Sequence, residues 1–229
     1  MKFYLNEFLF GVYPYIACIV FVVGSIARYQ YSEYQWKSGS SQLLENTSLR
    51  WASPLFHIGV IAILLGHFVG LLTPACIYEL IMTPQTKQLL AVVVGGFFGI
   101  ICFIGLSGLV YRRLFIARIR KSSSFSDILI LLLLYMQLLL GLLSIKVSVH
   151  HMDGAVMKSL AHWAQSIVTF QSNAASFIID QHWIFKSHIF LGLTIILIFP
   201  LTRLVHVWSI PMGYMFKTGY QIVKTRGGS

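Results

Sequence analysis

The sequence has few charged residues. Only 10% of its 229 residues are Asp, Glu, Lys or Arg, whereas a soluble domain carries about 25%. Because 57% of the residues are apolar and the mean hydropathy is +0.76, the polar surface is too small to cover a water-soluble globule. This composition excludes an ordinary cytosolic enzyme and a disordered chain, and it indicates an integral membrane protein.

Cysteine and acidic residues are also scarce. The three cysteines, Cys18, Cys76 and Cys102, form neither C-x-x-C nor C-x-x-C-H, which argues against a disulfide scaffold, a thiol redox motif and covalently attached c-type haem. The seven acidic residues leave a net charge of +10. In a membrane protein such basic residues flank the helices and meet lipid headgroups, so no nucleic-acid partner is predicted.

Five apolar runs are long enough for the roughly 20 residues that a membrane-crossing helix needs. We therefore predict an all-α integral membrane protein, a five-transmembrane-helix bundle, with residues 1–210 as one domain and 211–229 as a short cytoplasmic tail. Pro14 predicts a kink in the first helix. The predicted helices are Phe8–Ala27, Trp51–Leu72, Gln88–Tyr111, Ile128–Ile145 and His188–Trp208.

The distribution of Lys and Arg predicts the orientation. Five crossings place the termini on opposite sides, and twelve of the 17 basic residues fall on the side of the C-terminus. Because cytoplasmic loops carry the excess of Lys and Arg, the N-terminus is predicted outside and the C-terminus in the cytoplasm of a cell inner (plasma) membrane. The five basic residues on the outer side are Lys2, Lys87, Lys146, Lys158 and Lys186.

The longest connection, 146–186, is predicted to lie outside. Within it, residues 155–170 place apolar side chains at helical spacing. This pattern predicts an interfacial amphipathic helix that covers the outer end of the bundle. Its apolar residues are Val156, Leu160, Trp163, Ile167 and Phe170.

Four of the eight histidines lie in apolar helices, His57 and His67 on the second, His188 and His206 on the fifth. Ionisable residues in a membrane are costly and suggest function. A hydrogen bond to a neighbouring helix would explain a single membrane histidine. It is a poor explanation for two pairs of histidines confined to two helices. The remaining histidines fall in the outer connection, where a solvated loop with a turn at Asp153-Gly154 explains His150, His151 and Asp153 better than a metal site does. The four histidines of this connection are His150, His151, His162 and His182.

The spacing of the four helix histidines argues against zinc. His188 and His206 are 18 residues apart, about 27 Å along a straight helix, so they cannot share one tetrahedral metal. They can serve two centres, one towards each membrane face. Two axial imidazoles on each iron are typical of electron-transferring b-type haem.

The antiparallel course of the second and fifth helices predicts the pairing. His57 pairs with His206 on the cytoplasmic side, and His67 pairs with His188 on the outer side. The distances along the two helices differ. His57 and His67 are only about 15 Å apart along the second helix, whereas His188 and His206 would be about 27 Å apart along the fifth. A bend near Pro200 is expected to absorb the difference.

Motifs along nearly the whole chain carry a family resemblance. They include Tyr13-Pro14-Tyr15-Ile16-Ala17, Phe56-His57-Ile58-Gly59, Gly66-His67-Phe68, Arg112-Arg113-Leu114-Phe115, His151-Met152-Asp153-Gly154 and Thr202-Arg203-Leu204-Val205-His206. With these motifs the chain resembles the membrane cytochrome b subunit, called gamma, of bacterial respiratory nitrate reductases. The resemblance implies two non-covalent b haems on the four histidines and oxidation of a quinol, ubiquinol or menaquinol, near the outer haem. It also implies cytoplasmic partners, an iron–sulfur (beta) subunit and a molybdenum-containing catalytic (alpha) subunit.

The resemblance also implies roles for individual residues. Lys87 matches a lysine of the family's quinol site, although by itself it would be read as an interfacial lysine reaching the headgroups. Gly66, beside His67, would let a quinol ring approach the haem edge, or it would simply serve helix packing. Arg203 is a candidate for pairing with a propionate of the haem near His206.

Other functions remain open at this point. The resemblance implies that the chain oxidises quinol. Because it has no ligand set for molybdenum or iron–sulfur, it is not predicted to reduce nitrate itself. Alternatives are the di-haem subunit of another quinone-linked enzyme, such as a hydrogenase or formate dehydrogenase, a transporter with a histidine proton relay, or a haem-free anchor. An absorption spectrum distinguishes the haem-containing class from the others.

Overall fold

The computed structural model describes residues 2–32, 47–150 and 152–209, and within these ranges the regular structure is entirely helical. The predicted tail, residues 211–229, lies outside them, as does His151. The described α-helices are α1 Lys2–Glu7, α2 Tyr13–Ser32, α3 Thr47–Leu72, α4 Ala75–Tyr78, α5 Pro84–Phe115, α6 Ala117–Lys121, α7 Phe125–Val149, α8 Ala155–Val168 and α9 Trp183–Ile198.

Five helical stretches are long and apolar enough to cross a membrane, which confirms the predicted five-helix architecture. They extend beyond the apolar runs at most of their ends because polar residues continue the helices; α5, for example, begins at Pro84 and not at Gln88. Pro84 follows Thr83, whose hydroxyl accepts a hydrogen bond from the Thr86 N–H, a regular N-terminal cap. The five stretches are Tyr4–Tyr31, α3, α5, α7 and Trp183–Leu201.

The predicted irregularity near Pro14 takes the form of a π-helix, Phe8–Val12, between α1 and α2. Pro14 has no N–H to donate to the carbonyl of Phe10, four residues earlier. The indole N–H of Trp163 donates to that carbonyl instead, at 2.9 Å. A side chain of the long connection thus satisfies the backbone group that the proline leaves free.

The prediction of one continuous fifth helix from His188 to Trp208 is wrong. α9 ends at Ile198, and two 3-10 helices follow, Phe199–Leu201 and Arg203–Ser209, separated by extended backbone at Thr202. The break follows from Pro200, which cannot continue the ladder of helical hydrogen bonds. Arg28 of α2 donates to the carbonyls of Pro200 and Thr202, so two of the freed acceptors are satisfied.

The helices form a bundle in which α3 packs on α5, α5 on α7, α7 on α9, and α9 on α2. The α3–α5 contact is the closest and is made through glycines. A Cβ added at Gly59 would lie 2.6 Å from the Cβ of Cys102, and one at Gly105 would lie 2.3 Å from the backbone nitrogen of Phe56. Small residues therefore let the two backbones touch, as is common between membrane helices.

Gly105→Ala is expected to destabilise the bundle because the added methyl group meets backbone that cannot rotate away. Overpacking of this kind costs about 1–3 kcal/mol. A thermal unfolding scan of the detergent-solubilised protein measures the effect. Gly95→Ala on the same helix is the control, since a Cβ there would meet no atom within 4 Å. Equal stability of the two variants would contradict the proposed close contact.

Helix α8 covers one end of the bundle, called the capped end below. Gln165 donates to the carbonyls of Leu71 and Thr73 at the end of α3, and the Tyr15 hydroxyl donates to the carbonyl of Ile167. The predicted amphipathic helix is confirmed over Ala155–Val168. Its extension to Phe170 is wrong, because Phe170 is 81% exposed and has a positive φ of 59°, which ends the helix.

Candidate functional site

The structure brings the four helix histidines together in two pairs. At the capped end, the rings of His67 and His188 lie with their centroids 6.1 Å apart and their planes tilted by 40°. At the opposite end, the ring centroids of His57 and His206 are 6.4 Å apart. These are the two pairs predicted from the antiparallel helices.

The break after α9 removes the disagreement between the two separations along the helices. The figure of about 27 Å between His188 and His206 assumed one straight helix. His206 instead lies on the 3-10 helix Arg203–Ser209, beyond the extended residue Thr202. Both ring pairs therefore meet although the sequence separations differ.

Hydrogen bonds orient three of the four imidazoles. The Nδ1 atoms of His57, His67 and His206 lie 2.7, 2.8 and 2.6 Å from backbone carbonyls of their own helices. A carbonyl partner requires the proton on Nδ1, so Nε2 keeps its lone pair. Metal-binding histidines are typically held in this way.

His188 is held differently. Its Nδ1 is buried and has no hydrogen-bond partner in the described part of the chain, while its Nε2 lies 3.5 Å from the amide nitrogen of Gln137. Gly141 makes room for the ring, since a Cβ there would lie 3.1 Å from Cε1 of His188. A buried imidazole nitrogen without a partner is costly, and a metal bond would satisfy it.

The donor set suits a haem better than a bare metal ion. Within the described ranges, no three His, Cys, Asp or Glu side chains converge as a metal ion would need. Two metal–imidazole bonds of about 2.1 Å and two ring radii of roughly 1.1 Å span about 6.4 Å, close to both observed separations. The spacing of each pair would therefore allow its two imidazoles to hold one haem iron.

Lys87 lies at the capped end, in the first turn of α5. It is only 8% exposed, and its Nζ lies 3.7 Å above the ring centroid of Tyr78. No hydrogen-bond partner of Nζ is present among the described residues. The ammonium therefore does not reach into water as an interfacial lysine would.

The other residues singled out from the sequence make few or only local contacts. Gly66 is exposed, and a Cβ there would meet no atom within 4 Å. Arg203 forms an ion pair with Asp127, with 2.9 Å between Nε and Oδ1. His150 bonds the carbonyl of Lys146, and Asp153 accepts from the N–H of Ala155, contacts expected of a loop.

Sequence reasoning missed Tyr78, Gln137 and Gln165. Tyr78 contacts Lys87 across a turn, and no periodic pattern marks such a contact. Gln137 could have been predicted as a contact residue, because a polar amide in the middle of an apolar helix needs a hydrogen-bond partner. Gln165 lies far along the chain from the α3 carbonyls that it binds.

Comparisons with known proteins identify the family. The chain matches the family described as "Nitrate reductase gamma subunit" over residues 6–226. It is 46% identical over 223 residues to the respiratory nitrate reductase 1 gamma chain of Escherichia coli K12, covering 97% of this chain and 99% of that protein. It is 45% identical to the respiratory nitrate reductase 2 gamma chain of the same strain, covering 97% and 98%. The nitrate reductase gamma chain of Bacillus subtilis 168 is 37% identical, with coverage of 96% and 99%.

Proposed function

The chain belongs to the nitrate reductase gamma subunit family, and we propose that it is the membrane subunit that oxidises quinol for a respiratory nitrate reductase. With five membrane-spanning stretches it is a multi-pass inner-membrane protein. The proposed partners are an iron–sulfur beta subunit and a molybdenum-containing alpha subunit on the cytoplasmic face. The capped end, which holds α8, is the outer end in the orientation predicted from the basic residues.

The two close imidazole pairs carry this proposal. His67 and His188 would hold the outer haem b, and His57 and His206 the inner one. When bound, these groups supply one-electron transfer between the two ends of the bundle. Arg203 lies three residues before His206 and is ion-paired with Asp127, and it would also pair with a propionate of the inner haem.

The side chains at the capped end would bind the quinol. Lys87 offers a buried ammonium without a hydrogen-bond acceptor, which can donate to a quinol oxygen and favour its deprotonation. Gly66 leaves space beside His67 for the quinol ring. Protons released here would leave on the outer side while electrons cross to the cytoplasm, so the subunit would separate charge across the membrane.

An absorption spectrum of the purified protein tests the proposal. Two reducible b-type haems for each chain are expected, and reduction by quinol should not require the partner subunits. A preparation with correctly inserted helices but without haem would overturn the proposal. It would favour a haem-free anchor or a transporter with a histidine relay.

Lys87→Ala is expected to lower quinol-dependent haem reduction about ten- to a hundredfold, because a hydrogen bond from a charged donor contributes roughly 1.5–3 kcal/mol. Haem content should stay at two per chain, since all four histidines are unchanged. Lys87→Arg should rescue poorly because its planar fork places donors differently.

The matched control is Lys146→Ala, which removes an exposed lysine near the same end. Membranes with each variant are assayed for haem content and for the rate of quinol-dependent haem reduction. Wild-type rates in Lys87→Ala at full haem content would place the quinol site elsewhere around His67.

A further inference from the structure

The buried ammonium of Lys87 is held by an aromatic face. Its Nζ lies 3.7 Å from the Tyr78 ring centroid, and the structure describes no hydrogen-bond acceptor for it. A cation over a desolvated aromatic ring is attracted by the negative potential of the ring face. The Tyr78 ring therefore determines where this ammonium sits before any ligand arrives.

Tyr78 is itself fixed in place. It ends the short helix α4 and is only 8% exposed. Burial raises the pKa of its hydroxyl, as does the negative charge of Glu79. The phenol consequently stays protonated at neutral pH.

Glu79 links this residue to the cap. Its carboxylate forms an ion pair with Lys158 of α8, with 3.4 Å between Nζ and Oε1, and both side chains are about half exposed. Just before α8, Gly154 has a φ of +83°, and a Cβ there would lie 2.9 Å from Pro84 of α5. The start of α8 is thus pressed against the turn of α5 that carries Lys87.

From these contacts we propose that Tyr78 is a positioning residue for Lys87. The face of its buried ring holds the ammonium ready for a quinol oxygen, while the next residue in the chain, Glu79, is paired with Lys158 on the cap. The inference rests on the proposed quinol site at Lys87. Tyr78 itself undergoes no chemical step, since its contribution is the position and orientation of the ammonium.

The proposal predicts different effects for loss of the Tyr78 hydroxyl and for loss of its aromatic ring. Tyr78→Phe keeps the aromatic face and should stay within about twofold of wild type. Tyr78→Leu removes the face, and a partly to fully desolvated cation–π contact corresponds to roughly a five- to thirtyfold effect. We expect this loss in kcat/KM for quinol, with the haem content unchanged.

The assay uses the complete complex in membranes with two probes, menadiol as a naphthoquinol and decylubiquinol as a benzoquinol, and rates are expressed per haem. The double variant Tyr78→Leu/Lys87→Ala should be no slower than Lys87→Ala alone, because Tyr78 acts through the ammonium. If the two losses multiply instead, Tyr78 does not act through Lys87 and the inference is wrong.

A fluorination series keeps the test decisive even if Tyr78→Leu fails to assemble. Phenylalanines with one, two and three ring fluorines at position 78 keep the ring shape and progressively weaken the negative potential of its face. Quinol kcat/KM should fall with each fluorine, whereas a purely structural role predicts no trend. A flat series combined with an impaired Lys87→Ala overturns the role of Tyr78 and leaves the quinol site standing. Wild-type activity in Lys87→Ala overturns both the role of Tyr78 and the quinol site at Lys87.

Discussion

Alanine in place of His67 or His188 is expected to remove the outer haem b and to bring quinol-driven electron transfer down to background. The two rings lie at the capped end, 6.1 Å apart between centroids, and would be the two protein ligands of the outer haem iron. A non-covalent haem that lost one of its two imidazole ligands would be held much more weakly. The haem content should fall from two per chain to one, and the remaining haem should no longer be reduced by added quinol.

His150→Ala is the matched control, since His150 is exposed and bonds only the carbonyl of Lys146. It should keep both haems and the wild-type rate. In the His67 and His188 variants, an artificial dye that reduces the cytoplasmic subunits directly should still support nitrate reduction. Full quinol activity in either variant would remove the outer pair from the electron path.

Alanine in place of His57 or His206 is expected to remove the inner haem selectively and to stop electron transfer from quinol to nitrate. These rings form the second pair, 6.4 Å apart between centroids. The outer pair and Lys87 lie at the other end of the bundle and should be unaffected. Quinol should therefore still reduce one haem per chain, while nitrate reduction driven by quinol falls to background.

Stopped-flow spectra of the one-haem variants distinguish the two ends. Haem reduction by quinol should persist in the His57 and His206 variants and should be lost in the His67 and His188 variants. If a His206 variant instead lost the haem that quinol reduces first, the pairing of the four histidines would be wrong.

The overall class of the protein follows from local sequence. The apolar runs are each long enough to cross a membrane, and the described part of the chain contains five such helices. Backbone groups in lipid must be satisfied within their own segment, so long apolar runs become helices with little help from distant residues. The amphipathic helix α8 was predictable for the same reason, since its spacing is a local property.

The boundaries of the helices were less predictable. Pro200 lies in an apolar run that continues to Trp208, and the run alone suggested one helix. The break is stabilised by Arg28, 172 residues away in the chain, which donates to the Pro200 carbonyl. Similarly, the carbonyl that Pro14 leaves free is satisfied by Trp163, 153 residues from Phe10. Such distant partners leave no periodic signal in the sequence.

The number of spans and the ends at which the four histidines meet were predictable from the sequence, because helix parity places the members of each pair at the same end. The folded bundle was needed to find that Lys87 is buried against the Tyr78 ring. It was also needed to find that His188, unlike the other three, has no carbonyl partner at Nδ1 in the described part of the chain. Burial and partner choice differ from these local features because they are set by the packing of separate helices. Hydropathy and spacing, in contrast, are properties of one segment at a time.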